Sequence, residues 1–169
     1  MTEHGPNAVS ITEIARRAGV HATSIQRRWG SREKLVLDAM LTYSRELLPV
    51  PDTGTVRADL IAFARSITAY LATPLGEALA RTMAVTDDDP ELRAGRAQFW
   101  QARYDTARAI IDRGIERDEL PADTDPRLAL ELLVAPLHFR ALLTRLPIDD
   151  DELARMVETI LRGCGQYGT

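Results

Sequence analysis

Apolar residues recur along this chain with the roughly 3.6-residue period of a helix, and no stretch keeps up the alternation of a half-buried strand. The first run lies between Ser10 and Leu35. Ser10 is a capping residue, and Glu13 is spaced to reach back to its amide as the other half of a capping box. Ile11, Ile14, Ala15 and Ala18 then share one face. Gly19 stops the helix where the chain must turn left-handed, and Val20 is placed to plug the angle behind it. A second register starts at Ile25 and Trp29, leaving Ala22, Thr23, Ser24, Gln26, Arg27 and Arg28 outward. This is a helix-turn-helix pattern whose second helix offers small, polar or basic groups to a major groove. Gln26 suits adenine or a phosphate, and Arg27 and Arg28 suit guanine edges or phosphates. Helix, glycine, helix corners also occur in ordinary bundles.

Downstream, Leu35, Val36, Ala39, Met40, Tyr43 and Leu47 line one side of a connector helix that Pro49 and Pro51 terminate. After a linker at Asp52 to Thr55, Val56, Leu60, Phe63, Ala64, Ile67 and Leu71 mark a helix ending before Pro74. A short helix over 75–85 leads to Thr86, Asp87, Asp88 and Asp89. These aspartates lack the glycine and distal glutamate of a calcium loop and read as a solvated helix cap. From Pro90 one long helix carrying Phe99, Trp100, Tyr104, Ala107, Ile111 and Ile115 is expected to run to Asp118. Pro126 opens the most apolar element, LALELLVAPLHFRALLTRL, which is apolar on nearly all faces and must be covered twice. Pro147 ends it. The last helix, 149–164, has a broad stripe of Leu153, Met156, Val157, Ile160 and Leu161. The expected fold is all-α, with a helix-turn-helix head over 1–47 and a helical-bundle body over 48–169.

Charge sharpens this division. The net charge of the 169 residues is −4, but residues 1–35 hold six Lys/Arg against three Asp/Glu, leaving 15 against 22 for the remainder. The head is therefore +3 and the body −7, which confines phosphate binding to the head. Cys164 is the only cysteine, so no intrachain disulfide or cysteine-based metal cluster can form. No run approaches the roughly 18 apolar residues of a membrane span, and no basic-then-apolar leader opens the chain. A cytoplasmic protein without cofactor or metal is expected. His4, His21 and His138 lie in separate segments with no nucleophile or base around them, so an enzyme is not expected. His138 reads as a core or interface histidine.

The run IARRAGVHATSIQRRWGSREKLVLDAM closely resembles the DNA-binding region of TetR-type repressors and covers about the first quarter of the chain. The resemblance implies a recognition helix from His21 to Arg28, Trp29 as its closing aromatic and Arg32 as a phosphate contact. Gln26 stands where the family usually has a tyrosine, and His21 where a serine or threonine cap is common. The family also places a full helix ahead of the capped one, whereas Met1 to Val9 is polar and broken by Gly5 and Pro6. Lacking that helix, the head is expected to be less ordered than the body.

These readings assign residues. His21 and Ala22 start the DNA-facing helix. Thr23, Ser24, Gln26 and Arg27 meet base edges or nearby phosphates, while Arg28, Arg32 and Lys34 neutralise phosphates. An effector pocket is expected among Phe63, Ile67, Tyr70 and Met83 on two helices, Phe99, Trp100, Arg103 and Tyr104 on a third, and Leu133 and Leu137 on a fourth. It suits a mostly apolar small molecule with one polar or anionic end. A homodimer interface is expected from Leu128, Leu132, Ala135, Phe139 and Leu142 together with Leu153, Met156, Val157, Ile160 and Leu161. The whole describes a ligand-responsive regulator, a repressor released from its double-stranded DNA operator by a small molecule. The alternative is a dimeric helical small-molecule-binding protein whose DNA binding is impaired or lost.

Overall fold

A computed structural model of the chain describes residues 10–32, 34, 35, 38, 39, 48–84 and 90–165, and every regular element among them is helical. The expectations for Met1 to Val9, for Val36, Met40, Tyr43 and Leu47, and for Val85 and the loop at 86–89 fall outside the described residues.

Helix α1 (Ile11–Ala18) starts where the Glu13 N–H donates to Ser10 Oγ at 3.2 Å. The Glu13 carboxylate, expected to reach back to Ser10, takes charged hydrogen bonds from Arg16 at 2.8 and 2.7 Å and from Arg17 at 2.7 Å instead. Ion pairs at i+3 and i+4 on an exposed face outcompete a neutral bond to an amide. Arg16 foremost, then Arg17, holds the Glu13 acid down to about 2. Gly19 adopts φ 66°, and the Val20 N–H donates to Ala15 O at 3.0 Å, which closes the helix as a glycine stop should. Val20 does not plug the corner. It stays 49% exposed, and Ala15 and Ile25 are the buried residues between α1 and α2 (Ala22–Trp29).

The body is built around α3 (Val56–Leu71), which packs on four other helices: α4 (Pro74–Ala84), α6 (Ala109–Glu116), α7 (Pro126–Phe139) and α8 (Asp150–Gly165). Thr55 caps it, accepting the Ala58 N–H at 3.2 Å. Val56, Leu60, Phe63, Ala64, Ile67 and Leu71 are all buried, as their spacing predicts, and each large one contributes about 1.5–3 kcal/mol. Helix α5 (Pro90–Ala107) does not run on to Asp118. The chain tightens at Arg108, whose carbonyl accepts the Ile111 N–H at 2.9 Å, and α6 starts afresh. The break lets both Ile110 and Ile111 be sealed among neighbouring helices, which a single straight stripe would not do.

Asp125 caps α7, accepting the N–H groups of Arg127 and Leu128 at 2.9 and 3.1 Å, with Pro126 in the first turn. The expected continuous helix to Leu146 is not formed. Pro136 removes one N–H from the ladder, α7 stops at Phe139, and Arg140–Thr144 form a π turn in which the Arg145 N–H donates to Arg140 O at 2.8 Å. Helix α8 opens on a complete capping box, with the Glu152 N–H donating to Asp149 Oδ1 at 2.7 Å and the Asp149 N–H to Glu152 Oε2 at 3.4 Å.

The proposed interface set needs correcting. Leu153 and Val157 are sealed in the chain's own core, Ile160 is buried, and Leu142, Met156 and Leu161 are partly buried against the same core. The broad stripe of α8 is wide because it faces inward against α3 and α7. What remains outside is on α7 and just beyond it: Leu128, Leu132, Ala135, Phe139, Leu143 and Leu146 are exposed.

Candidate nucleic-acid interface and effector cavity

On the head, the corner fixed by Gly19 turns one face of α2 outward. Thr23, Ser24, Gln26, Arg27 and Arg28 are exposed, while Ile25 is buried and Trp29 half-buried. His21 caps α2 by position but makes no side-chain capping bond. Two of the outward groups are held by their own helix. Gln26 Nε2 donates to Gly30 O at 2.6 Å, and the Arg28 guanidinium carbon lies 4.7 Å from the Trp29 ring centre. Trp29 in turn donates from Nε1 to Asp38 Oδ2 at 2.9 Å, tying the end of α2 to the helical residues that follow. Ser31 starts those residues by accepting the Lys34 N–H at 3.2 Å. Arg32 and Lys34 are half-buried beside this start. Arg27 and Arg28 on α2, with Arg32 and Lys34 just beyond it, thus place four cationic side chains on this part of the head.

In the body, Phe63, Ile67 and Tyr70 from α3, Met83 from α4, and Phe99, Trp100 and Arg103 from α5 line one partly open cavity with Val134 and His138 of α7. Its volume is about 60 Å³, room for a few waters. Seven of the ten residues expected there are present. Leu133 and Leu137 are not: α7 presents Val134 and His138, one position further round, and sends the two leucines into the solid core. Tyr104 lies outside as well, half-buried in an outer groove with the Arg127 guanidinium 5.4 Å from its ring centre.

Seven of the wall residues were missed by the sequence reading, and three of them show different reasons why. Leu48 belongs to the passage between head and body and no helical period pointed to it; it is buried and lines the cavity. Gly76 admits α4 against α3 so closely that a Cβ there would sit 2.0 Å from Tyr70 O. His138 reads as an ordinary core residue because seven neighbouring positions on α7 are apolar. Its ring meets Trp100 edge to face with centroids 5.4 Å apart, and burial pushes its pKa below the usual histidine value.

No group of three His, Cys, Asp or Glu side chains among the described residues could hold a metal. Among the same residues, no helix is long and apolar enough to cross a membrane.

Known proteins share both halves. The family model for bacterial regulatory proteins, tetR family, matches residues 1–39, and that for the tetracyclin repressor-like C-terminal domain matches residues 50–160. The HTH-type transcriptional regulator AqdR of Rhodococcus erythropolis is 41% identical over 138 residues, spanning 82% of this chain and 67% of the relative. The uncharacterized HTH-type transcriptional regulator YdeS of Bacillus subtilis is 27% identical over 164 residues, 96% of this chain and 83% of its own. Among solved structures, the TetR family transcription regulator SCO0332 superposes with a TM-score of 0.82 at 28% identity, covering 93% of this chain and 87% of that one. An outward basic helix on a glycine corner, a helical body and these matches along both halves have one reading: the chain belongs to the TetR family of helix-turn-helix transcriptional regulators, which are DNA-binding proteins and not enzymes.

Proposed function

We propose that the chain is a repressor that holds operator DNA as a homodimer and lets go when a small apolar molecule enters its body. The observation that carries this reading is the position of Leu48. It is a wall of the cavity and also lies where the chain passes from head to body, so a ligand that swells the cavity must press on the segment carrying the head. At about 60 Å³ the cavity is far below the roughly 300–1,000 Å³ of small-molecule sites. Occupation therefore requires expansion, and a molecule that binds only the expanded body has the differential affinity a switch needs.

The DNA-facing assignment keeps Thr23, Ser24, Gln26 and Arg27 for base edges and nearby phosphates, with Arg28, Arg32 and Lys34 for the backbone. Pairing two heads on successive major grooves places them about 34 Å apart. The pairing surface is the outer face of α7, where Leu128 and Leu132 are more than half exposed beside a groove of about 580 Å³ that Met156 and Ile160 of α8 also line. Exposed leucines at this density mark an association surface.

The test uses genomic fragments adjacent to the gene. Salt-sensitive, sequence-selective binding that a body-bound small molecule reverses is the expected result. A chain that binds small molecules and has no selective affinity for DNA would instead be a ligand-binding scaffold, and the repressor reading would fall.

A further inference from the structure

The body cavity has a neighbour. On the outer side of the body lies a groove of about 350 Å³ lined by Tyr104, Glu131, Ala135 and Leu142. Ala80, Met83, Trp100, Val134 and His138 line the groove and the cavity alike, so the two spaces are divided by a wall one side chain thick. Trp100 and His138 form the aromatic part of that wall, their rings meeting at 74° with centroids 5.4 Å apart. Both are only half-buried, so rotation of either ring has room on the outer side. Parted, the wall would join the spaces into one site of the size that small molecules occupy, roughly 300–1,000 Å³.

His138 gives that joined site its chemistry. Its Nδ1 lies 3.0 Å from Val134 O. A carbonyl can only accept, so Nδ1 carries the hydrogen, and in a neutral ring Nε2 is left with a lone pair. Desolvation keeps the ring neutral. Of the five shared wall residues, His138 is the one that offers an acceptor; Trp100 offers a donor and the rest are apolar. Glu131, on the outer rim, is already engaged by Arg127 at 2.9 Å.

We propose that the effector site is the cavity and the groove joined through the Trp100–His138 wall, and that its ligand is an uncharged ring-sized apolar molecule whose hydroxyl or N–H group donates to His138 Nε2. This rests on the body-cavity reading above and names the ligand class for it. Trp100 is the movable partition and His138 the specificity-determining residue.

The experiment titrates the full chain with two probes of nearly equal shape, naphthalen-2-ol and 2-methoxynaphthalene, by calorimetry. The wild type should prefer the hydroxyl probe by about tenfold, the ratio that one buried neutral hydrogen bond supplies. His138→Phe should bring the ratio near one. His138→Gln, whose side-chain oxygen can stand near the position of Nε2, should keep a preference, which separates loss of the acceptor from loss of the fold. Trp100→Ala should bind both probes more tightly than the wild type. Equal binding of the two probes by the wild type, or a preference that survives His138→Phe, overturns the acceptor while the body cavity stands. Unchanged affinity in Trp100→Ala overturns the partition. Failure of both probes to bind either the wild type or Trp100→Ala removes the effector cavity itself, and this proposal with it.

Discussion

Thr53 donates twice to Asp59, from its backbone N–H at 2.6 Å and from its hydroxyl at 2.7 Å, both to Oδ1 of a side chain that is wholly buried. The other oxygen of Asp59 faces Arg113 at 3.6 Å and Arg117 at 3.8 Å, and Arg113 also donates to Pro51 O. Asp59 thus fastens the segment entering the body to the first turn of α3 and to the end of α6. A carboxylate in that first turn is also favoured by the positive end of the helix. Asp59→Ala would leave the Thr53 donors and two guanidinium groups facing a gap. It should lower unfolding stability by about 1–3 kcal/mol, the cost of leaving buried donors unsatisfied, since both guanidinium groups keep Asp52 as a partner. Asp59→Asn, which keeps an acceptor for Thr53, should lose less. Urea denaturation compares the two, and equal losses would show that the Thr53 bonds contribute nothing.

The approach of α4 to α3 leaves no space at Gly76, where an added Cβ would meet Tyr70 O at 2.0 Å and Tyr70 C at 2.7 Å. Both obstacles are backbone and cannot swing aside. Gly76→Ala should therefore push α4 outward and cost about 1–3 kcal/mol or more, although alanine favours a helix interior. A thermal melt showing no loss would mean that α4 is free to shift. Gly163, with nothing within 4 Å of its Cβ position, is the control.

Arg32 is assigned to backbone phosphate and not to a base. Arg32→Ala should weaken binding to all DNA sequences alike and flatten the salt dependence of binding by about one ion. Loss concentrated at a single base position would move Arg32 into the base-reading set.

Leu132 is 53% exposed on the chain by itself, so replacing it disturbs little of the fold. Leu132→Glu places a charge on the face assigned to pairing. Light scattering at micromolar concentration should report a monomer whose far-ultraviolet circular dichroism is unchanged. A variant that stays dimeric would place the interface elsewhere.

Acid should act on the body through His138. Its folded pKa lies below the usual 6.5, chiefly through desolvation, so the folded state favours the neutral ring. The stability this brings is complete above pH 6.5 and falls away as pH drops below it through the lowered folded value. The difference in melting temperature between wild type and His138→Phe should therefore shrink, or turn against the wild type, as pH goes from neutral to mildly acidic. A difference that is constant across that window would show that the ring does not titrate within it.

Much of this molecule is written in local chemistry. Ser10, Gly19 and Pro126 are legible in the sequence as helix starts and stops, and Thr55, Asp125 and Asp149, which the structure adds as caps, act through bonds just as local, to residues two or three positions away. The outward polar side of α2 is legible for the same reason, because an eight-residue helix with Ile25 buried has its polar face decided by period alone.

The period also shows that α5, α7 and α8 carry apolar faces, but not what each face meets. Leu133 and Leu137 share their four-residue spacing with Val134 and His138, and a turn of about 100° about the axis decides which pair borders the cavity. That turn is set by the packing of α7 on α3, α5 and α8, and it gives the space to Val134 and His138. In the same way the stripe of Leu153, Val157 and Ile160 is equally suited to a partner chain or to the chain's own core, since both remove it from water. Only the placement of α8 against α3 turns it inward and leaves Leu128, Leu132 and Phe139 of α7 outside. Apolar burial has no direction of its own, so the sequence determines which residues leave water, and the tertiary structure decides what they leave it for.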